Sequence, residues 1–461
     1  MEKIKVGLAA TGDPMKLDTQ SIAGFIELAG RLDCEVVRET NGFFSIEDAA
    51  IAAEGIRKEE PDMIVVLCQS FTWFGESIKP FLDLEVPLLL WAVEEPLKEG
   101  PLPFNSMTGC NLFASVIHAC EKDGRKRMKW LYGVPEMEQF RRRFTISVNA
   151  VRVIKSLKNK KLALIGGIAE GFVNLAFDKE KLSRRFGIKV EELSLDEVFR
   201  RMEQCKPEMV NELKETIRSG AANCTADEKR LETSCKAILA LTSICEEYEC
   251  DGMAVACWPE FQERMDIFPC LAFGYLCGHG IAVGCEGDLL GTLSMIALNS
   301  ITERPSALMD FVQVRPEENR VMWWHCGIGL CEYADDQGYE IQEYATMPGM
   351  PKDPGVICDM VLKPGRVTVR RFHENGDKMF VLSADVIPSE ERGHTGVRAW
   401  YSNFTMQGKM ISATELTNTI LMSGLPHHFA VGGKDAEEAL VEAAHWLGTR
   451  VIEKIPYRDY L

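Results

Sequence analysis

The sequence predicts an α/β protein: two Rossmann-like α/β domains with parallel sheets, over residues 1–158 and 159–300, followed by a β-rich, barrel-like carboxyl-terminal domain over residues 301–461. Three observations carry this reading. Short apolar runs alternate with amphipathic helical segments through the first two domains, as βαβ units on a parallel sheet require. Near residue 300 the pattern changes to period-two alternation. The turns there also become rich in Pro and Gly, as in Met347-Pro348-Gly349-Met350-Pro351.

In the first domain, residues 3–9, 34–37, 62–68, 87–91 and 129–132 read as strands, and residues 136–157, rich in Arg and Lys, read as a connecting helix. A second round opens at residues 161–166, where Leu-Ala-Leu-Ile runs into Gly166-Gly167 and then Glu170-Gly171-Phe172. This lacks both GxGxxG and a phosphate-loop Lys-Ser/Thr, so a tight strand-to-helix turn is expected. Strands at 187–191, 252–257 and 281–285 and a charged helix over 227–249 complete that domain. In the third, residues 367–372, 378–387 and 397–404 alternate as strands, and one closing helix is expected over 435–449.

At 461 residues and 46% hydrophobic content the chain can bury a large core in two or three domains. Its 52 Lys+Arg against 69 Asp+Glu give a formal charge of -17, which repels phosphate backbones and speaks against nucleic acid. Residues 1–14 read directly as a first strand, without a charged region leading into a long apolar stretch. No later segment reaches about 18 uninterrupted apolar residues, so no membrane partner is expected and the reading is a soluble, cytoplasmic protein. None of the 16 cysteines has CxxC spacing, and many sit in apolar strands, as in Val66-Leu67-Cys68 and Val255-Ala256-Cys257. They read as small buried hydrophobes in a reducing compartment.

Three features could carry chemistry. The apolar strand 281–285 ends in Glu286-Gly287-Asp288, at the carboxyl end where α/β proteins place ligand crevices. The competing reading is that Asp288 caps the helix over 289–300. Asp310 lies within Ala307-Leu308-Met309-Asp310-Phe311-Val312, and a buried carboxylate must be paired, bonded or metal-bound. An inward pairing with Arg315 competes there. Among only eight histidines, Pro426-His427-His428-Phe429 forms a doublet. Neighbours on a strand point apart, so one at most is expected to be a ligand, with the other behind the ligands or in the substrate pocket. His325, before Cys326-Gly327, ends a further apolar run at a cleft. Two carboxylates and one or two imidazoles, with positions left open, suit an octahedral ion such as Mn²⁺ or Mg²⁺.

These pieces resemble the L-fucose isomerase/L-arabinose isomerase family, in its fucose-isomerase-like branch. Glu286-Gly287-Asp288, Met309-Asp310, His325-Cys326-Gly327 and His427-His428 follow the family's order, and the domain change matches across essentially the whole chain. The resemblance implies a Mn²⁺-type ion (or Mg²⁺ or Co²⁺) held by Glu286, Asp310 and one of the paired histidines, with His428 favoured. In the arabinose branch the histidine matching His325 is also a ligand. The family's active site lies at a subunit contact, which implies a trimer or hexamer. The chain is shorter than the fucose isomerases, and its 311–324 loop differs from theirs.

Aldose–ketose interconversion moves a proton between C1 and C2 of an open-chain sugar, and Glu286 and Asp310 are expected to act there as acid and base as well as ligands. His427 and His325 are candidates for contacting the sugar, as are Trp258 and Glu260 of Cys257-Trp258-Pro259-Glu260-Phe261 and Trp73 of Gln69-Ser70-Phe71-Thr72-Trp73. Glu260 also reads as a helix-start acid. Two alternatives stand beside the isomerase: a non-catalytic sugar-binding or sensory protein, and another metal-dependent sugar reaction such as aldol cleavage or epimerisation.

Overall fold

The protein's structure, a computed structural model, describes residues 3–12, 18–38, 42–96, 99–120, 128–343 and 355–459. The Pro/Gly-rich turn expected at 347–351 lies outside those residues, as does Pro14. The chain divides into two compact units, Met1–Lys155 with Glu442–Gly448, and Ser156–Val441 with Thr449–Leu461. No helix among the described residues is long and apolar enough to cross a membrane.

The first unit is a five-stranded parallel sheet of β1 (Ile4–Ala10), β2 (Cys34–Arg38), β3 (Met63–Leu67), β4 (Leu88–Ala92) and β5 (Lys129–Tyr132), ordered β2-β1-β3-β4-β5. Its strands read as apolar runs because helices cover both faces. Val6, Leu8, Val65, Leu67 and Trp91 pack on Phe25, Phe140 and Phe144, whereas Ala9, Ile64, Val66 and Leu90 pack on Ala53, Ile56 and Phe113. The alternation of side chains along each strand supplies one core per face.

The second unit holds two sheets. β6 (Lys161–Ile165), β7 (Lys189–Leu193), β9 (Gly252–Val255) and β10 (Ala282–Gly284) form a parallel sheet ordered β10-β9-β6-β7, while β8 (Asn223–Cys224) belongs to the other. That other sheet adds β11 (Ser306–Arg315), β12 (Arg320–His325), β13 (Ala334–Glu343), β14 (Val356–Leu362), β15 (Gly365–His373), β16 (Lys378–Ile387), β17 (Val397–Met406), β18 (Lys409–Met410), β19 (His428–Gly433) and β20 (Arg450–Val451). The expectation of parallel sheets followed by a β-rich region is met.

Within the larger sheet the antiparallel pairing β16-β15-β19-β11-β12-β17 returns from β17 to β16. Met309, Val367, Val386, Val397 and Val431 share one apolar space inside it. The opposite face of β11 and β19 carries Asp310 directly across from His428. Helix Leu289–Thr302 packs on β19 and β15 and brings the turn after β10 to that face.

Helix Ala413–Met422 was not expected, whereas the closing helix expected at 435–449 is present as Glu437–Trp446. The first is rich in Thr and weakly helix-forming, but Ser412 and Glu415 fix its start in a reciprocal capping box. The strand expected at 281–285 is shorter, because Cys285–Gly287 turn into a helical bend with Glu286 at φ +58°.

The aromatic centre of the larger sheet is Trp323, fully buried, its ring edge-on to Tyr401 at 4.9 Å and Phe311 at 5.5 Å. Trp323→Ala leaves a cavity that β12 and β17 cannot close without losing their register. It is expected to lower unfolding stability by about 3–5 kcal/mol in chemical denaturation.

Candidate active site

Glu286 sits in the left-handed region at the carboxyl end of β10, a conformation that costs a non-glycine residue energy and persists only when its surroundings hold it. Here the Ala169 backbone N–H donates to the Glu286 carbonyl. The loop at Gly167 also approaches so closely that a Cβ on Gly287 would meet the Gly167 carbonyl oxygen at 2.2 Å. The Gly166-Gly167 turn expected after β6 therefore forms the wall that sets the Glu286 backbone.

Asp288 does cap the helix: the Gly291 backbone N–H donates to its Oδ1 at 2.8 Å. It does more than that. Its Oδ2 accepts from the Arg371 guanidinium on β15 and, at 3.1 Å, from His428 Nδ1, and all three side chains are buried. Burial alone pushes the Asp288 carboxyl up, but the charge of Arg371 and the His428 bond outweigh it and hold the group well below the usual carboxylate range.

This bond fixes His428. An ionised carboxylate only accepts, so Nδ1 carries a proton, and in the neutral ring Nε2 is the nitrogen with the free lone pair. That nitrogen lies 3.6 Å from Asp310 Oδ1 and 3.9 Å from Glu286 Oε2. Asp310 Oδ1 is buried without a hydrogen-bond partner, and among the described residues neither Glu286 nor Asp310 has a Lys or Arg within ion-pair distance. Arg315, the partner considered for Asp310, bonds Glu318 and Glu391 instead.

The histidine doublet does not diverge as expected. His427 precedes the first residue of β19, so strand alternation does not govern it, and its Nε2–H donates to Glu286 Oε2 at 3.0 Å. The two rings are 4.2 Å apart, and Glu286, His427 and His428 can bring three ligand atoms within 4.8 Å of one another. Burial works against a charged His427 ring, but the Glu286 bond and the Asp310 charge prevail, so it titrates above its ordinary value. His325 ends β12 as expected and is buried, its ring stacked 5.8 Å from that of His428. Its titration is also raised: burial opposes the charge, and Cys326 and Asp310 favour it more strongly.

Beside these groups lies a cavity of about 600 Å³, its open mouth included, lined by Glu286, Asp310, His325, Trp258, Trp324, Phe268, Ile357 and four cysteines. Trp258 thus joins Glu286, Asp310 and His325. Glu260 begins helix Glu260–Met265 and is not among the lining residues. Trp73 belongs to the first unit, where it is 84% exposed. Asp288 as the orienting partner of His428, and Arg371 behind it, are residues that the sequence reading did not assign. The signal was present, since Arg370-Arg371 interrupt the apolar strand expected at 367–372, and buried guanidinium groups call for an anion.

No known family profile matches the chain. It is similar to the sulfoquinovose isomerase of Priestia megaterium (strain ATCC 12872 / QMB1551), 25% identical over 423 residues, covering 87% of this chain and 88% of that protein. The sulfoquinovose isomerase of Alkalicoccus urumqiensis is 25% identical over 403 residues, covering 85% and 86%, and that of Clostridium sp. (strain MSTE9) is 28% identical over 369, covering 78% and 79%. Among solved structures, a periplasmic solute-binding protein from Actinobacillus succinogenes with bound D-allose covers 66% of this chain and 93% of that one at 14% identity, but at a TM-score of 0.18 it carries no argument. Likeness to isomerases over most of both chains makes this chain an enzyme of the isomerase class.

Arg371→Met leaves Asp288 as an uncompensated buried charge and is expected to cost about 3–5 kcal/mol of stability. Adding Asp288→Asn should recover part of that loss in chemical denaturation. The Asp288 carboxyl has a lower pKa folded than unfolded. Its contribution is therefore complete above about pH 4 and falls away as the pH drops below that value.

Proposed function

We propose that the chain is a divalent-metal-dependent aldose–ketose isomerase acting on a free sugar. The observation that carries this is the convergence of Glu286, Asp310 and His428 Nε2 beside a cavity, with no Lys or Arg among the described residues within ion-pair distance of the two carboxylates. The long similarity to isomerases that act on a sugar supports the reaction class.

The donors fit a hard-to-borderline ion. Two carboxylates and one imidazole leave coordination positions open, and the buried Asp310 Oδ1 has no hydrogen-bond partner among the described residues. Glu286, Asp310 and His428 would hold Mn²⁺, or Mg²⁺ or Co²⁺, with His427 bonded to Glu286 beside them. Such an ion, when bound, stabilises the negative charge that develops on the two sugar oxygens during enediol formation.

The chain's own residues perform the proton work. A carboxylate of the Glu286/Asp310 pair removes the proton from one of the two reacting carbons, and a carboxyl of the same pair returns one to the other. Asp288 holds the proton of His428 on Nδ1 and so turns Nε2 toward Glu286 and Asp310. His427 steadies the Glu286 carboxylate in its position. Trp258 and Trp324 offer aromatic faces and exclude water on the cavity side.

Among the described residues that line the cavity none is Lys or Arg. The candidate substrates are neutral aldoses of the fucose or arabinose type and, as the names of the relatives suggest, a sulfonated sugar.

Turnover is expected when the metal-loaded protein is given a panel of neutral aldoses, with the sulfonated sugar as the comparison. Glu286→Gln should abolish it while circular dichroism and the unfolding transition are kept. Asp310→Asn should lose bound metal. Full turnover in Glu286→Gln, or no metal bound by the wild type under any loading condition, would sink the reading.

A further inference from the structure

Four of the cavity's lining residues are cysteines, and they stand in two pairs. Cys270 Sγ lies 3.2 Å from Cys326 Sγ, and Cys257 Sγ lies 3.4 Å from Cys285 Sγ. We infer that Cys270 and Cys326 form a reversible redox pair in the wall of the candidate active site, closing a disulfide when a peroxide enters the cavity and thereby slowing the isomerase.

The first pair is singled out by position. Cys326 is half-buried and sits in the turn directly after β12, while Cys270 is the first residue of helix Cys270–Gly278. The two sulfurs must approach by about 1.2 Å to reach the bond length of a disulfide. Segment ends permit such a shift more readily than the interiors of strands. Cys257 and Cys285 are both buried, and they follow β9 and β10 at the Glu286 turn.

The chemistry is balanced by the peroxide. One thiol sulfur attacks a peroxide oxygen and becomes a sulfenic acid, the O–O bond breaks, and one water leaves. The second sulfur then displaces the sulfenic oxygen, forming the S–S bond and releasing a second water. Two electrons pass from sulfur to oxygen, and both thiol protons end in water. A dithiol reductant reverses the change by exchange.

The link to function runs through His325, and it rests on the proposed isomerase reading. Cys326 Sγ lies 3.4 Å from His325 Nδ1, and the His325 ring stacks on that of His428. Drawing Cys326 toward Cys270 removes the sulfur from His325 and ties together two segments 56 residues apart at the cavity wall. A displacement of about 1 Å at such a site can cost roughly a hundredfold in rate.

The test treats the full-length, metal-loaded protein with hydrogen peroxide, alkylates remaining thiols and maps cross-linked peptides by mass spectrometry, with activity measured before and after. A Cys270–Cys326 peptide, appearing together with a large loss of activity that dithiothreitol restores, is the expected result. Cys270→Ser, compared with its own untreated sample, should keep its activity. The proposal is overturned by a folded, peroxide-treated protein lacking that peptide, by cross-linking at Cys257–Cys285 instead, or by equal inactivation of Cys270→Ser. Absence of turnover before treatment would count against the isomerase reading, while the peptide map would still decide the thiol pair.

Discussion

The candidate site depends on one buried ion pair. Arg371 on β15 and Asp288 at the start of helix Leu289–Thr302 are both fully buried, and His428 completes the chain through Nδ1. A lone carboxylate there would be prohibitively costly, so Arg371 is what makes Asp288 tolerable as an anion. The anion in turn fixes the histidine tautomer and aims its second nitrogen at Glu286 and Asp310. The pair also joins the turn after β10 of the parallel sheet to the larger sheet, because Asp288 follows β10 whereas Arg371 and His428 belong to β15 and β19.

That placement explains why the site's residues come from distant segments. Asp310 and His428 are cross-strand neighbours, held by backbone pairing and independent of loop conformation. Glu286 is the exception, since its backbone is left-handed and the loop after β6 holds it there. A rigid pair on strands and a strained acid on a turn leave a concentration of negative charge at the cavity wall, and His427 registers it by titrating above its ordinary value.

Much of this was legible in the sequence through residues that violate their surroundings. Asp310 stood out in an apolar strand, Glu286 and Asp288 at the end of another, and the histidine doublet in an apolar context. Less was legible where tertiary contacts decide. Asp288 read as a cap, which it is, but its bond to a histidine 140 residues away has no local signature. The doublet was expected to diverge, yet β19 begins only at its second histidine. The thiol pairs escaped for the same reason, since Cys257 and Cys285 meet only when β9 pairs with β10, and Cys270 and Cys326 only when helix Cys270–Gly278 reaches the end of β12.

The central claim is that Glu286, Asp310 and the Nε2 atom of His428 bind one divalent ion beside the cavity. Anomalous diffraction at the manganese edge from crystals grown with Mn²⁺ tests it most directly. A single strong peak within bonding distance of both carboxylates and of His428 Nε2 is expected, with His428 Nδ1 still on Asp288. A peak ligated by His427 in place of His428, or manganese bound away from Asp310, would contradict it.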